Sequence, residues 1–408
     1  MKPTAMPKNM KNLVAGGLSI CSVAVFALVS SCGDRGEPQV DSVESKAKEG
    51  PQSDWPLFRG DPEMQGISVE NLSAPLKLAW TYEPNVEEGK RRPPIESTPV
   101  ISDGRVFVGT QGGEFLALDL ESGVLLWTVT TEGPVTAPAG VFGDTVYFGD
   151  TYGYVYALNV LSGEELWRYE TDGKVEGGVN ILADPGGKAR VFVGSHDYFL
   201  YCFDAATGEV LWKEETGNYI VATPSIVDSG GDQAVSFGGC DGLLYILAAD
   251  GNGENREIEI GSYIANSAAV RDGIAYLAHN GGEVIAIEVS SGEVVWRTNT
   301  GVEYTASPAV DETNVYVAGP DKRLVAYDRV MGEEQWAFLA TRSLDSSPVV
   351  VGDMIWQGGM DGRLYAVSRG DGSEQWSFEL GAQIKSSPAV SRGMLVVCGQ
   401  DGVVYAFH

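Results

Sequence analysis

The residues of this 408-residue sequence that could do chemistry are few and scattered. Glu96, Glu176 and Asp345, together with Asn266, offer the oxygen atoms a hard cation such as calcium takes. They come from different repeats of the chain, so a solvated acidic rim is the expected arrangement. Asp250, Asn252 and Glu254 alternate in DGNGEN as calcium-loop ligands do. Asn255 stands where such a loop turns on glycine and Gly261 where a glutamate closes it, so a hairpin turn is expected instead. His196, His279 and His408 are separate, and Cys202, Cys240 and Cys398 lack the CxxC spacing of a zinc site and the even count of a disulfide framework. The three thiols are expected as small buried apolar groups. There is no GxSxG elbow, no HExxH helix and no phosphate loop, and GNGENR lacks the third glycine of a dinucleotide fingerprint. No catalytic, cofactor-binding or metal-binding residue is assigned.

The elements that hold these residues come from one unit that returns about every 40 residues, clearest at 345–381. Asp345 to Val351, Met354 to Gly358, Arg363 to Ser368 and Ser373 to Leu380 read as four short strands, joined by turns that carry glycine. The third strand, Leu364-Tyr365-Ala366-Val367, is apolar on both faces, which requires cover on both sides of its sheet. The unit starts again at Glu96, Thr136, Glu176, Val221, Ala265, Thr305, Asp345 and Lys385. Eight starts predict an all-β fold, a single eight-bladed β-propeller with four-stranded blades and the eight starting residues around one mouth of the channel.

Most repeats carry a tryptophan in the fourth strand: Trp127, Trp167, Trp212, Trp296, Trp336 and Trp376. Repeat four has none in Arg256 to Ile260, and repeat eight stops at His408 before reaching its own. Leu76 to Tyr82 has the pattern of the missing strand, with Trp80 in the tryptophan place, so an N-terminal strand should close the ring and remove two free edges. The Gly-His and Trp-Asp signals of the WD40 propellers are absent.

Ahead of the repeats, residues 1–12 carry three lysines and no acid, and Leu13 to Leu28 is an apolar run of 16 residues, the order of an export signal. It ends in Val29-Ser30-Ser31-Cys32, which resembles the lipobox of bacterial lipoproteins. That resemblance implies a signal peptide over 1–31 and a diacylglyceryl group on Cys32, holding the protein at a membrane. Residues 33–54 mix charges and prolines with almost no apolar side chains, so 32–54 is expected to be a lipidated cysteine and flexible tether, on the order of 25 Å long, and 55–408 the propeller. Loss of residues 1–31 removes Lys2, Lys8 and Lys11 and no acid, leaving 25 basic side chains against 56 acidic ones. Nucleic acid is excluded as a partner by that field.

ALDLESGVLLW (117–127), ALNVLSGEELW (157–167), CFDAATGEVLW (202–212) and AIEVSSGEVVW (286–296) resemble the tryptophan-docking repeat of the pyrroloquinoline-quinone-like, or quinoprotein-type, β-propeller family. DWPLFRGDPEMQGIS (54–68) is similar to that family's opening segment. Within it, a lipobox, a tether and one ring resemble the BamB-type assembly lipoproteins more than the quinoprotein dehydrogenases. The resemblance implies a monomeric periplasmic scaffold, without a cofactor, that binds envelope proteins such as the barrel-assembly machinery of the outer membrane. Gly33 rather than an aspartate after Cys32 leans towards the outer membrane, while in a single-membrane envelope the protein would sit on the plasma membrane's outer face. The alternative is a dehydrogenase of alcohols or sugars using the quinone and calcium, but the adjacent cysteine pair of those enzymes is missing. The loop-rich mouth and the charged fourth strand of repeat four, around Glu254, Arg256, Glu257 and Glu259, are the two surfaces a scaffold would offer.

Overall fold

The apolar runs and glycine turns of each repeat fold into the expected four-stranded meander. The computed structural model describes residues 54–408 apart from Glu88, Pro185 and Glu254, all within one compact unit, Gly50–His408. The leader, Cys32 and the tether to residue 53 lie outside the described residues, as does Glu254 of the DGNGEN loop. Among the described residues there are no helices, and so none long and apolar enough to cross a membrane.

Eight four-stranded antiparallel blades stand around a channel, and Ile67–Ser68 of the opening segment adds a parallel fifth strand to the first strand of blade 7. Blade 1 consists of Val100–Ser102, Arg105–Gly109, Glu114–Asp119 and Leu125–Thr130. Blades 2, 3, 5 and 6 follow this plan over 140–170, 180–215, 269–299 and 309–339. Blade 4 has a short fourth strand, Arg256–Glu259, and blade 7 ends in Glu374–Glu379. The first strands are innermost, those of neighbouring blades touching around the ring. Each third strand buries four consecutive residues, as in Arg363–Ser368, because a blade packs on both of its faces. The first strand of blade 7 begins at Val349 rather than Asp345, since residues 345–348 leave the sheet to form the mouth.

The ring closes as the sequence predicts. Leu78–Tyr82 pairs antiparallel with the last strand, Val404–Phe407, with Trp80 opposite Ala406, and becomes the outer strand of blade 8.

Tryptophans fasten six of the eight blades to the next. Trp80, Trp127, Trp167, Trp212, Trp296 and Trp336 each donate the indole N–H to a backbone carbonyl at the third-to-fourth turn of the following blade, at 2.8 to 3.3 Å. The glycine of that turn lies flat on the ring: a Cβ on Gly163 would sit 2.8 Å from Trp127. Blade 4 replaces the tryptophan with two residues. Ile258 packs against Gly292, and Arg256 donates to the carbonyl of Val289 at 3.4 Å. Trp376 meets no such turn, because the outer strand of blade 8 arrives from the other end of the chain; it packs edge-on against Trp356 and Phe407 instead.

The segment opening at Asp54 crosses the face that carries the first-to-second strand turns and visits every blade. Trp55 exchanges two 2.8 Å backbone bonds with Ile101 of blade 1. The carbonyls of Pro56, Pro62, Glu63, Gln65 and Gly66 then accept from Val141, Ile226, Val270, Val310 and Val350 of blades 2, 4, 5, 6 and 7. Asn180 of blade 3 also donates to Pro62, and the Glu70 carboxylate caps the amides of Arg392 and Gly393 in blade 8. The bonds to the five backbone carbonyls each satisfy a first-strand N–H that would otherwise lack a partner. This strap closes one end of the ring.

Candidate functional site

The loops that precede the first strands rise to the other end of the channel. All eight predicted positions, from Glu96 in blade 1 to Lys385 in blade 8, line one well of about 150 Å³. Phe58 of the strap lies in the same lining, so the well has an aromatic wall contributed by the closed end.

A belt of hydroxyls sets the geometry of that mouth. The amides of Gly178, Thr223, Ser267, Ser307, Ser347 and Ser387 donate in turn to the hydroxyls of Thr223, Ser267, Ser307, Ser347, Ser387 and Thr98, each in the next blade, at 2.9 to 3.0 Å. The belt breaks at blade 2, where Pro138 has neither amide hydrogen nor hydroxyl; there Ser97 donates to the carbonyl of Ala137 at 2.9 Å. Hydrogen bonds between successive blades fix the spacing of the side chains above them. The Ser/Thr-Pro dipeptides at residues 98, 223, 307, 347 and 387 were the sequence signal for this belt.

The predicted carboxylates are unlike one another. Glu96 holds the ammonium of Lys385 at 2.8 Å. Glu176 lies 3.0 Å from Nε2 of His196 and 3.7 Å from Lys174, and its carboxyl is held below the ordinary range, chiefly by His196. Asp345, half-exposed, makes no ion pair or hydrogen bond among the described residues. Asn266 is 3% exposed, and its Nδ2 donates to the carbonyls of Ala278 and Ala306. Two carbonyls can be satisfied only by the amide nitrogen, which leaves Oδ1 as the free end, buried and without a donor.

The loops at this end of the ring also carry exposed aromatics, outside the lining of the well, that the sequence reading missed. Tyr152, Tyr198, Tyr219 and Tyr263, in loops of blades 2 to 5, are 40 to 66% exposed. Tyr219 stacks on His196 with ring centroids 4.7 Å apart and meets Tyr198 at 5.4 Å. Their sequence signal was a large aromatic at loop positions where other repeats carry small or polar residues, as Tyr219 and Tyr263 stand where repeat seven has Ser343.

The remaining candidates are structural. Among the described residues no group of three His, Cys, Asp or Glu is placed to hold a metal ion. Asp250 and Asn252 form a turn, with Asp250 Oδ1 accepting the amide of Asn252 at 2.9 Å. His279 is buried and far from His196 in the ring, its Nδ1 accepting the amide of Gly281. Cys202 and Cys398 are buried as expected, and burial pushes the Cys202 thiol up to about 12. Cys240 departs from that expectation: it is half-buried in the mouth, its amide bonded to Tyr219. The charged strand of blade 4 is partly spent on packing, since Arg256 turns to Ser229 and Val289.

The quinone and its calcium do not fit the residues present. The three mouth carboxylates are divided between Lys385, His196 and solvent, with no ligand set among the described residues. The well is about 150 Å³ where sites for drug-sized ligands begin near ~300 Å³.

Residues 77–228, 247–350 and 332–408, most of the ring, match the protein family described as outer membrane protein assembly factor BamB. The chain belongs to the BamB family. No curated protein matches the sequence. Among solved structures, BamB from Moraxella catarrhalis is similar at 19% identity and a TM-score of 0.68, over 82% of this chain and 98% of that one. The quinohemoprotein alcohol dehydrogenase from Comamonas testosteroni is similar at 16% identity and 0.73, over 87% and 80%. A europium-containing methanol dehydrogenase is similar at 14% identity and 0.71, over 87% and 98%. At these identities the likeness is one of fold, shared by BamB and by dehydrogenases, and fold does not carry function.

Proposed function

We propose that this BamB-family chain is a lipoprotein of the cell envelope, anchored through Cys32, that works as a protein-binding scaffold in outer-membrane protein assembly. The observation that carries the reading is the form of the mouth. All eight blades contribute residues to a single well, closed behind by the strap, with four exposed tyrosines in the loops of blades 2 to 5 at the same end of the ring. Exposed aromatic side chains on a rigid frame are the common anchors of protein interfaces. Family membership supports the biological setting, and the lipobox-like Val29 to Cys32 supports the anchor.

The test is affinity capture of the intact lipoprotein from its own envelope, comparing it with a Tyr219→Ala, Tyr263→Ala double variant. Barrel-assembly components should come with the parent protein and be lost with the variant. Equal recovery with both, or recovery with neither, would set the reading aside. Retention of pyrroloquinoline quinone and calcium with dye-linked oxidation of alcohols or sugars would replace it with the enzyme.

A further inference from the structure

We propose that the mouth well receives one alkylammonium or guanidinium group, which in the scaffold reading above is a lysine or arginine side chain of the bound protein. The inference rests on that reading for the source of the cation but not for its chemistry.

The buried orphan is the first observation. Asn266 lines the well, 97% of the residue is removed from solvent, and its Oδ1 is buried with no donor among the described residues. A buried acceptor left unmade is costly, so a guest that reaches Asn266 gains by bringing N–H or O–H. Asp345 lines the same well with its carboxylate unpaired, which asks for a donor that is also positively charged. Phe58 offers a ring in the lining, and a cation over an aromatic face gains further attraction.

The ring also contains its own example. Lys385 projects from blade 8 into the mouth, and its ammonium sits 2.8 Å from Glu96, so this wall already accepts an alkylammonium. Blade 7, next to it, has the carboxylate Asp345 and no lysine of its own at the mouth. The volume limits the guest to one side chain, and 56 acidic side chains against 28 basic ones draw cations towards the surface from a distance.

The experiment is calorimetric titration of the full-length protein in detergent at low salt. The probes are acetyl-Gly-Lys-Gly-amide, its Nε-acetyllysine and arginine counterparts, and free cadaverine. The lysine and arginine peptides should bind, and acetylation of the lysine should weaken binding about tenfold or more by removing the charge. Asp345→Asn should weaken the lysine peptide to a similar degree, about tenfold, while Asp371→Asn, in a turn at the strap end, should leave it unchanged. Equal binding of the acetylated peptide, or equal loss in both aspartate variants, would overturn the proposal, the second outcome assigning the attraction to net charge. Stronger binding of cadaverine than of the peptide would overturn the side-chain source. If the peptides bind as expected but envelope capture is indifferent to the tyrosine variant, the cation well stands and the scaffold reading fails. The reverse pair of results leaves the scaffold and removes the well.

Discussion

The indole N–H of Trp80 donates to the carbonyl of Leu120 at 2.8 Å, joining the outer strand of blade 8 to the turn of blade 1. This bond carries the tryptophan fastening across the point where the two ends of the ring meet, because Trp80 lies ahead of the first repeat. Trp80→Ala should lower the unfolding free energy by about 3 kcal/mol, the loss of a large, half-buried ring. Trp80→Phe, which keeps most of the packing, should cost about 1 kcal/mol. Both should shift one cooperative transition in denaturant, and an unchanged midpoint for Trp80→Ala would contradict ring closure by this strand.

The glycines under the indoles give a second measurement. Gly163 has φ +72° and its Cβ position is 2.8 Å from Trp127, so alanine there is strained and also displaces the ring. Gly143 has φ +57° with nothing within 4 Å of a Cβ. Gly143→Ala should cost about 1 kcal/mol for backbone strain alone, and Gly163→Ala about 2 kcal/mol or more. Equal losses would mean that the indole contact adds nothing beyond the turn.

The strap makes a prediction that amide hydrogen exchange can read. Deleting Trp55 to Ser68 removes the acceptors of Val141, Ile226, Val270, Val310 and Val350. Those five amides should exchange far faster than the third-strand amides of the same blades, such as Leu364 or Val367, which keep their partners. Uniform protection in the deletion variant would mean that the inner strands do not depend on the strap.

The difference between blades and strap explains what the sequence could reveal. The third strands, the tryptophans and the eight mouth positions recur with the repeat, so their roles were readable from period and residue type alone. The strap's role was not, because most of its bonds are made by backbone carbonyls, which every residue possesses. Its path also depends on Arg59 and Met64 at φ 65° and 61°, a conformation that no periodic pattern signals. Asn266 was visible as an oxygen ligand, but that its Oδ1 lacks a donor follows only from Ala278 and Ala306 approaching its nitrogen. The blade 4 substitution was half legible. The missing tryptophan was plain, whereas the division of its work between Ile258 and Arg256 required the neighbouring turn at Val289 and Gly292.

Cys32→Ser should leave the melting temperature of the ring unchanged and release the protein into the soluble fraction, because lipid rather than the polar tether would supply the membrane affinity. Fractionation after a high-salt wash checks this, and continued recovery with membranes would count against the anchor.

His279 should make stability fall on mild acidification. It is 2% exposed, Nδ1 accepts the amide of Gly281 at 3.0 Å, and Nε2 lies 3.3 Å from Glu283. Burial holds the imidazole below its ordinary value despite the opposing pull of Glu283, and a proton on Nδ1 would face the Gly281 N–H donor to donor. With the folded value depressed, the unfolded chain takes up the proton first. The contribution is therefore complete above the ordinary histidine value near ~6.5 and is lost as pH falls from there towards the folded value. His279→Asn keeps an acceptor for Gly281 without a titrating ring. Between about pH 7 and 5.5, above the ordinary carboxylate range, the parent protein should lose unfolding free energy more steeply than the variant. Urea titrations at several pH values measure both slopes, and parallel slopes would show that His279 takes up its proton equally well in the folded ring.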